Sequence, residues 1–214
     1  MTKLEEFMPF APTFFRRKPE LVARGLLGRF LVRELRGRAL ILRIVETEAY
    51  LGASDRASHA WRGQPTPRTE TLFRAGGCAY VYLIYGLHNM FNVVAGRAGE
   101  GGAVLIRAGE PIEGLPTMRR LRSLGPGSPN QAIASGPGKL CQALAIDRSF
   151  DGASVATSPL WVGRMGRSRA VGAAKILVGP RVGVDYAGAA ASWPLRFAVA
   201  GNRHVSRPAI DTNL

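Results

Sequence analysis

The chain has 214 residues, 29 of them lysine or arginine against 15 acidic ones, for a formal charge of +14. That length supports one generous core without staples. The charge fits a protein that displaces counterions from phosphates better than an ordinary metabolic enzyme, although a GC-rich genome would also enrich arginine, alanine and glycine. Only two cysteines, Cys78 and Cys141, occur and no CxxC, which argues against a disulfide framework and for a reducing compartment. The first ten residues are acidic early and broken by Pro9, unlike a signal peptide, and no apolar run is long enough to span a bilayer. A soluble protein, cytoplasmic or, if bacterial, nucleoid-associated, with no membrane contact is expected.

In chain order, Pro19 suits a first helical turn, and Leu21, Val22, Leu26 and Leu27 recur at helical spacing, predicting a helix over 18–28. Strands over 29–35 and 39–50 flank Arg36-Gly37-Arg38 as a hairpin, the second apolar as far as Val45 and polar beyond. Residues 52–77 form a polar excursion holding His59, Trp61 and Arg68, of a length that is usually functional in a compact domain. A second hairpin, 79–85 and 88–95, turns at Gly86-Leu87 and presents Tyr85 and His88 at its tip. A short strand over 104–108, a helix over 113–124 with Arg119, Arg120 and Arg122 on one face, and a loop over 123–131 follow. Ser135 is expected to cap a helix running through Lys139 to Ala145, with late strands over 160–162, 175–178 and 195–199. Without repeats or a long linker, residues 1–214 read as a single mixed α/β (α+β) domain. Its expected form is a curved, mostly antiparallel sheet flanked by helices, with a protruding β-hairpin.

Side chains two apart on a strand share a face, so Glu46, Glu48 and Tyr50 point one way and Val45 and Thr47 the other. Two carboxylates there can be an acid/base pair or simply partners of nearby arginines, and Tyr50 adds an aromatic wall. His59 is a turn residue or a functional one. Neither His88 nor His204 stands at a ligand spacing from it, so no metal is expected. Tyr80 and Tyr82 share a face, whereas Tyr85 at the tip is free to act as a wedge between base steps. Asn92 is placed as a polar reader near Tyr82. Gly136-Pro-Gly-Lys139 is no phosphate loop, because Ile133 stands where glycine is needed and Leu140 where Ser or Thr should bind magnesium, but its backbone N–H groups and Lys139 could still meet a nucleic-acid phosphate. These residues leave three functions open: base excision, metal-dependent cleavage using Glu46, Glu48 and His59, and binding without catalysis.

Several stretches taken together resemble the alkyladenine (3-methyladenine) DNA glycosylase family: Val45-Glu-Thr-Glu-Ala-Tyr50, Thr66-Pro-Arg68, Tyr80-Val-Tyr-Leu-Ile-Tyr-Gly86, Val104-Leu-Ile-Arg-Ala108, Ser135-Gly-Pro-Gly-Lys-Leu-Cys-Gln-Ala143 and Arg181-Val-Gly-Val184. The resemblance covers nearly the whole chain. It implies that Glu48 activates the water attacking the anomeric carbon, that Arg107 and the backbone carbonyl of Val182 help hold that water, and that Glu46 is structural. By the same resemblance Tyr50, His59 and Tyr82 sandwich an extruded base, Asn92 clashes with the exocyclic amino group of normal guanine, and Tyr85 fills the gap in the duplex. Thr66, Arg68 and Lys139 would then meet the DNA backbone. The chemistry agrees: an N-alkylated purine is a cationic leaving group, so its departure needs water, a base and negative charge near the sugar more than a strong acid. The lysines, Lys3, Lys18, Lys139 and Lys175, lie outside the pocket motifs, so a monofunctional enzyme that leaves an abasic site is expected. It would use no cofactor, act as a monomer and take double-stranded DNA carrying damaged purines. No role is carried onto the 123–131 loop or the segment after Arg203.

Overall fold

A short strand, β1 (Phe7–Pro9), and a one-turn helix, α1 (Pro12–Phe15), open the described part of this computed structural model, which comprises residues 4–166, 171–172 and 175–210. Neither element was expected, since three or four residues are too few to establish a period. Helix α2 (Pro19–Leu26) begins with proline at its first turn and buries Pro19, Val22, Ala23 and Leu26, whereas Leu21 faces outward. It is shorter than the predicted 18–28 because the backbone is already extended at Leu27.

The first predicted hairpin is present. Arg36 and Gly37 both take positive φ (50° and 73°) and reverse the chain between β2 (Phe30–Leu35) and β3 (Arg38–Tyr50), the geometry that matches strand twist in a two-residue turn. Gly52 ends β3 in the left-handed region (φ +81°), where an added Cβ would stand 2.0 Å from the Glu100 carbonyl oxygen. Glycine is therefore required where the strand gives way to the 52–77 excursion.

In the second hairpin, β4 (Ala79–Ile84) and β5 (His88–Ala95) are joined by a turn whose positive-φ residues are Tyr85 (53°) and Gly86 (68°), with the Leu87 N–H donating to Ile84. The turn thus sits one residue earlier than Gly86-Leu87, because a turn of this hand needs left-handed conformations at both central positions. Strand β6 (Gly102–Glu113) is far longer than 104–108. Beyond Leu105 its strand partner among the described residues is β3, with one isolated bridge from Ala108 to Ser135, and on the edge left open Pro111, lacking an N–H, is tolerated.

Gly114 (φ 81°) then launches α3 (Leu115–Leu121). A one-turn helix, α4 (Gln131–Ala134), follows the predicted loop, and α5 (Pro137–Ala143) is preceded by Gly136 with no side-chain cap. Ser135 is not the cap; its buried hydroxyl has no hydrogen-bond partner among the described residues. The remaining strands are β7 (Ala156–Thr157), β8 (Leu160–Met165), β9 (Ile176–Gly179) and β10 (Arg196–Val199).

Among the described residues the ten strands form one open sheet of order β1-β8-β2-β3-β6-β5-β4, every pairing antiparallel, with β7 on β8 and β9 on β10. The thirteen-residue β3 is its spine: one edge pairs with β6 and the other with β2 as far as Arg43 and then with β10 over Glu46–Glu48. Helix α2 covers the face carrying Thr47, whose hydroxyl donates to the Ala23 carbonyl at 3.0 Å. The main core, including Leu26, Ile44, Phe91, Val104 and Ile106, lies on that side. The opposite face of β3, β6, β5 and β4 is left to carry polar groups.

Candidate active site

Strand register brings the candidate residues together. Glu48 pairs with Leu105, Leu105 with Asn92 and Asn92 with Tyr80, a single transverse row across β3, β6, β5 and β4. Directly opposed residues share a face, so Glu48, Asn92 and Tyr80 look to the same side although 44 positions or fewer separate any two of them in the chain. Asn92 stands directly opposite Tyr80, with Tyr82, paired with Met90, as its diagonal neighbour on the same face. Its Nδ2 donates to the Tyr80 and Met90 carbonyls at 3.2 and 3.4 Å.

Two offset irregularities in the β3–β6 pairing lie beside this row. Between Ile44↔Gly109 and Glu46↔Ala108 the extra residue is Val45, and between Glu46↔Ala108 and Thr47↔Ile106 the extra residue is Arg107. A bulge re-aims the side chains around it. Here Arg107 reaches both acids: Nε lies 3.2 Å from Glu46 Oε1 and Nη1 3.2 Å from Glu48 Oε1. The expectation that Glu46 and Glu48 share a face holds. Burial pulls the Arg107 pKa down, but the Glu48 and Glu46 carboxylates outweigh it and hold the group above its ordinary value.

Glu48 is fully buried, and donors converge on it. The Val182 N–H donates to Oε1 at 2.8 Å, on the same oxygen as Arg107, and the Tyr50 hydroxyl donates to Oε2 at 2.9 Å. Burial, and then the charge of Glu48, push the Tyr50 pKa well above that of an ordinary phenol, so this hydroxyl keeps its proton. Tyr50, Arg107 and Val182 line a cavity of about 320 Å³, and Glu48 lies directly behind that wall. Val182 thus touches the carboxylate through its N–H, a contact that the sequence reading, which used its carbonyl, did not foresee.

Across the cavity, the His59 ring stands edge-on to Tyr82 at 4.5 Å between centroids, and its Nδ1 lies 2.9 Å from the Tyr80 hydroxyl. One edge of His59 is open to solvent. Even so, the loss of water against these rings, and secondarily the charge of Arg68, bring its pKa down to about 4. Tyr80, expected only to share the face of Tyr82, is His59's partner, and burial pushes its phenol up to about 12. Arg68 was expected on the DNA backbone. It also lines the cavity, its guanidinium carbon 5.8 Å from the Tyr82 ring centroid.

Tyr85 is 85% exposed on the hairpin tip at the cavity rim. Thr66 and Lys139 are exposed and lie outside the cavity wall; Thr66 braces its own turn through Thr69 Oγ1. Lys139 sits on the seven-residue α5, whose Pro137 reaches the cavity. The grouping Glu46, Glu48 and His59 does not converge, because Glu46 turns toward Arg196 and His59 toward Tyr80. Among the described residues no cluster of three or more His, Cys, Asp or Glu could hold a metal ion, and no lysine lines the cavity.

Four contributors escaped the sequence reading. Asp55 is buried in a two-pronged ion pair with Arg181 while accepting the N–H groups of Leu51 and Ala57 at 3.0 Å. It thereby shapes the turn that leads to His59. Tyr186, 63% exposed, adds another ring to the cavity wall. Arg196 and Ser206 close the far side of Glu46. Arg181 at least belonged to a quoted motif; Asp55 carried no local signal, because its partner is 126 positions away.

Residues 13–203 match the family model described as methylpurine-DNA glycosylase. The chain is 47% identical over 203 residues to a Methanocella arvoryzae protein carrying a 3-methyladenine DNA glycosylase designation, a match spanning 94% of this chain and 98% of that one. It is 44% identical over 203 residues to the DNA-3-methyladenine glycosylase of Mus musculus and 45% identical over 201 residues to that of Homo sapiens. These matches span 91% and 90% of this chain but 60% and 66% of the longer mammalian proteins.

Proposed function

The chain belongs to the methylpurine-DNA glycosylase family, and on that premise we propose that it excises alkylated or deaminated purines from double-stranded DNA by hydrolysing the N-glycosidic bond. The observation that carries the reading is Glu48: a buried carboxylate whose partners Tyr50, Arg107 and Val182 form the wall of an aromatic cavity with an exposed tyrosine at its rim.

The damaged nucleotide leaves the stack and its base enters between Tyr50, His59 and Tyr82, while Tyr85 takes its place in the duplex. Extrusion costs a few kcal/mol and least at a weakened pair, which itself favours lesions. Stacking on these rings adds about 1 to 2 kcal/mol for a cationic base. Neutral His59 offers a hydrogen-bonding edge without adding charge to the pocket. Asn92 limits the space for the amino group of normal guanine.

Glu48 takes the proton of a water that attacks the anomeric carbon as the base departs. Arg107 and the Val182 carbonyl help hold that water, and attack from the face opposite the base gives inversion. The product is an abasic site. No step calls for a cofactor, and among the described residues no lysine lines the cavity to form a covalent sugar adduct. The substrate class comprises 3-methyladenine, 7-methylguanine, hypoxanthine and ethenoadenine. Thr66, Arg68 and Lys139 meet backbone phosphates, and the protein works as a monomer in the nucleoid.

The test is an end-labelled duplex with one hypoxanthine or ethenoadenine, incubated in EDTA with wild type or Glu48→Gln and split with and without hot alkali. Alkali-dependent cleavage by wild type alone is the expected result. Cleavage without alkali would overturn the monofunctional reading, and equal release by the variant would remove Glu48 from its role.

A further inference from the structure

The segment after Arg203 lies beyond the residues matched by the family model, yet it runs into the ion network behind the catalytic wall. All three nitrogens of the Arg107 guanidinium are used: Nε on Glu46, Nη1 on Glu48 and Nη2 on the Ser206 hydroxyl at 3.2 Å. The Ser206 N–H in turn donates to Glu46 Oε2 at 2.7 Å, while Arg196 donates to Glu46 Oε1 at 2.6 Å. Arg196 also reaches the Ser206 and Pro208 carbonyls at 3.2 and 2.7 Å, so it ties Glu46 and this segment together. Arg107, Glu46, Arg196 and Ser206 are all buried, with Ser206 at 4% exposure.

A planar guanidinium held at Nε and at one Nη cannot rotate about Cζ without breaking a bond, so the direction of its remaining Nη is set. Glu46 and Ser206 hold those two positions; Nη1, left over, points at Glu48. Glu46 is in its turn immobilised, because Arg196 and the Ser206 N–H occupy both of its oxygens.

We propose that Ser206 is a positioning residue: with Glu46 it fixes the Arg107 guanidinium so that Nη1 meets Glu48 at the cavity wall, making the segment from Arg203 to Ile210 part of the catalytic apparatus. This rests on the glycosylase reading given above. The segment touches neither the base nor the reacting atoms, and acts only through Arg107.

Ser206→Ala removes the Nη2 contact and keeps the backbone N–H that holds Glu46, while Ser206→Thr keeps both. Single-turnover excision of hypoxanthine, the dissociation constant for the same duplex and the thermal midpoint are measured for wild type and both variants. Misplacing a group by about 1 Å through a change remote from the chemistry can cost about a hundredfold in rate. The expected result is an excision rate about tenfold lower for Ser206→Ala, unchanged duplex affinity, a thermal midpoint within a few degrees of wild type, and recovery to within about threefold in Ser206→Thr. A rate unchanged in Ser206→Ala overturns the proposal. So does a rate, affinity and midpoint that fall together, which would mark Ser206 as structural only. If wild type itself releases no base from any purine lesion, the glycosylase reading falls first and the positioning role with it.

Discussion

Arg107 Nη1 lies 3.2 Å from Glu48 Oε1, with both side chains buried. The two residues come from strands that meet where each carries one extra residue, so the contact depends on paired bulges and not on simple alternation. Lysine cannot serve Glu46, Glu48 and Ser206 at once, since it carries a point charge in place of a planar fork. Arg107→Lys should lower single-turnover excision on the order of a hundredfold, the usual cost of misplacing one preorganised donor, while near-UV circular dichroism stays native. A variant as fast as wild type would show that the fork geometry is irrelevant.

Tyr85 should separate DNA handling from stability. It is exposed and adopts φ 53°, a conformation that glycine takes without cost. Tyr85→Gly should therefore leave the thermal midpoint equal to or slightly above wild type, whereas excision from duplex falls by tenfold or more, on the order of the loss of one stacked ring. Excision from a single strand, where there is no gap to fill, should fall less. Equal losses on both substrates would rule out the wedge.

Asp55 is a stability prediction. Removing one partner of a buried ion pair leaves the other charge uncompensated, at about 3 to 5 kcal/mol, and two backbone N–H groups lose their acceptor as well. Urea unfolding of Asp55→Ala should show a loss of that size, and a change below about 1 kcal/mol would contradict the buried pairing.

His59 should titrate far below ordinary histidine. Its pKa in the folded protein is about 4, below the usual 6.5, so the folded state binds the proton more weakly than the unfolded one. The residue is therefore neutral above about pH 4, and its contribution costs stability as pH falls from the unfolded value toward the folded one. Ring-proton NMR of wild type should give a midpoint near pH 4. In Arg68→Gln the midpoint should move up, because the second cause of the depression has been removed. A wild-type midpoint near the ordinary value would show that the ring is hydrated instead.

Much of the site was legible because its residues cluster within short stretches. Glu46, Glu48 and Tyr50 lie on one strand at a period of two, and Tyr80 and Tyr82 on one hairpin arm with Tyr85 in the adjoining turn, so local periodicity was enough to group them. The turn at Tyr85-Gly86 was misplaced by one residue, since apolar alternation marks the strands and not the φ values at the tip. The helix cap at Ser135 was misread because propensity names residues that can cap, while Gly136 supplied the conformation that the chain needed.

By itself the sequence determined the basic charge, the mixed α/β class, the two hairpins and the family motifs, all of which follow from composition or from side chains within a few residues of one another. Only the tertiary structure decided that Glu48 would sit behind the cavity wall with the Val182 N–H upon it, that Arg68 would reach Tyr82, and that Ser206 would close on Arg107. The reason is sequence distance: Glu48 and Val182 are 134 positions apart and Arg107 and Ser206 are 99, so the packing of distant loop residues against β3 and β6, not local pattern, brings each pair within a hydrogen bond.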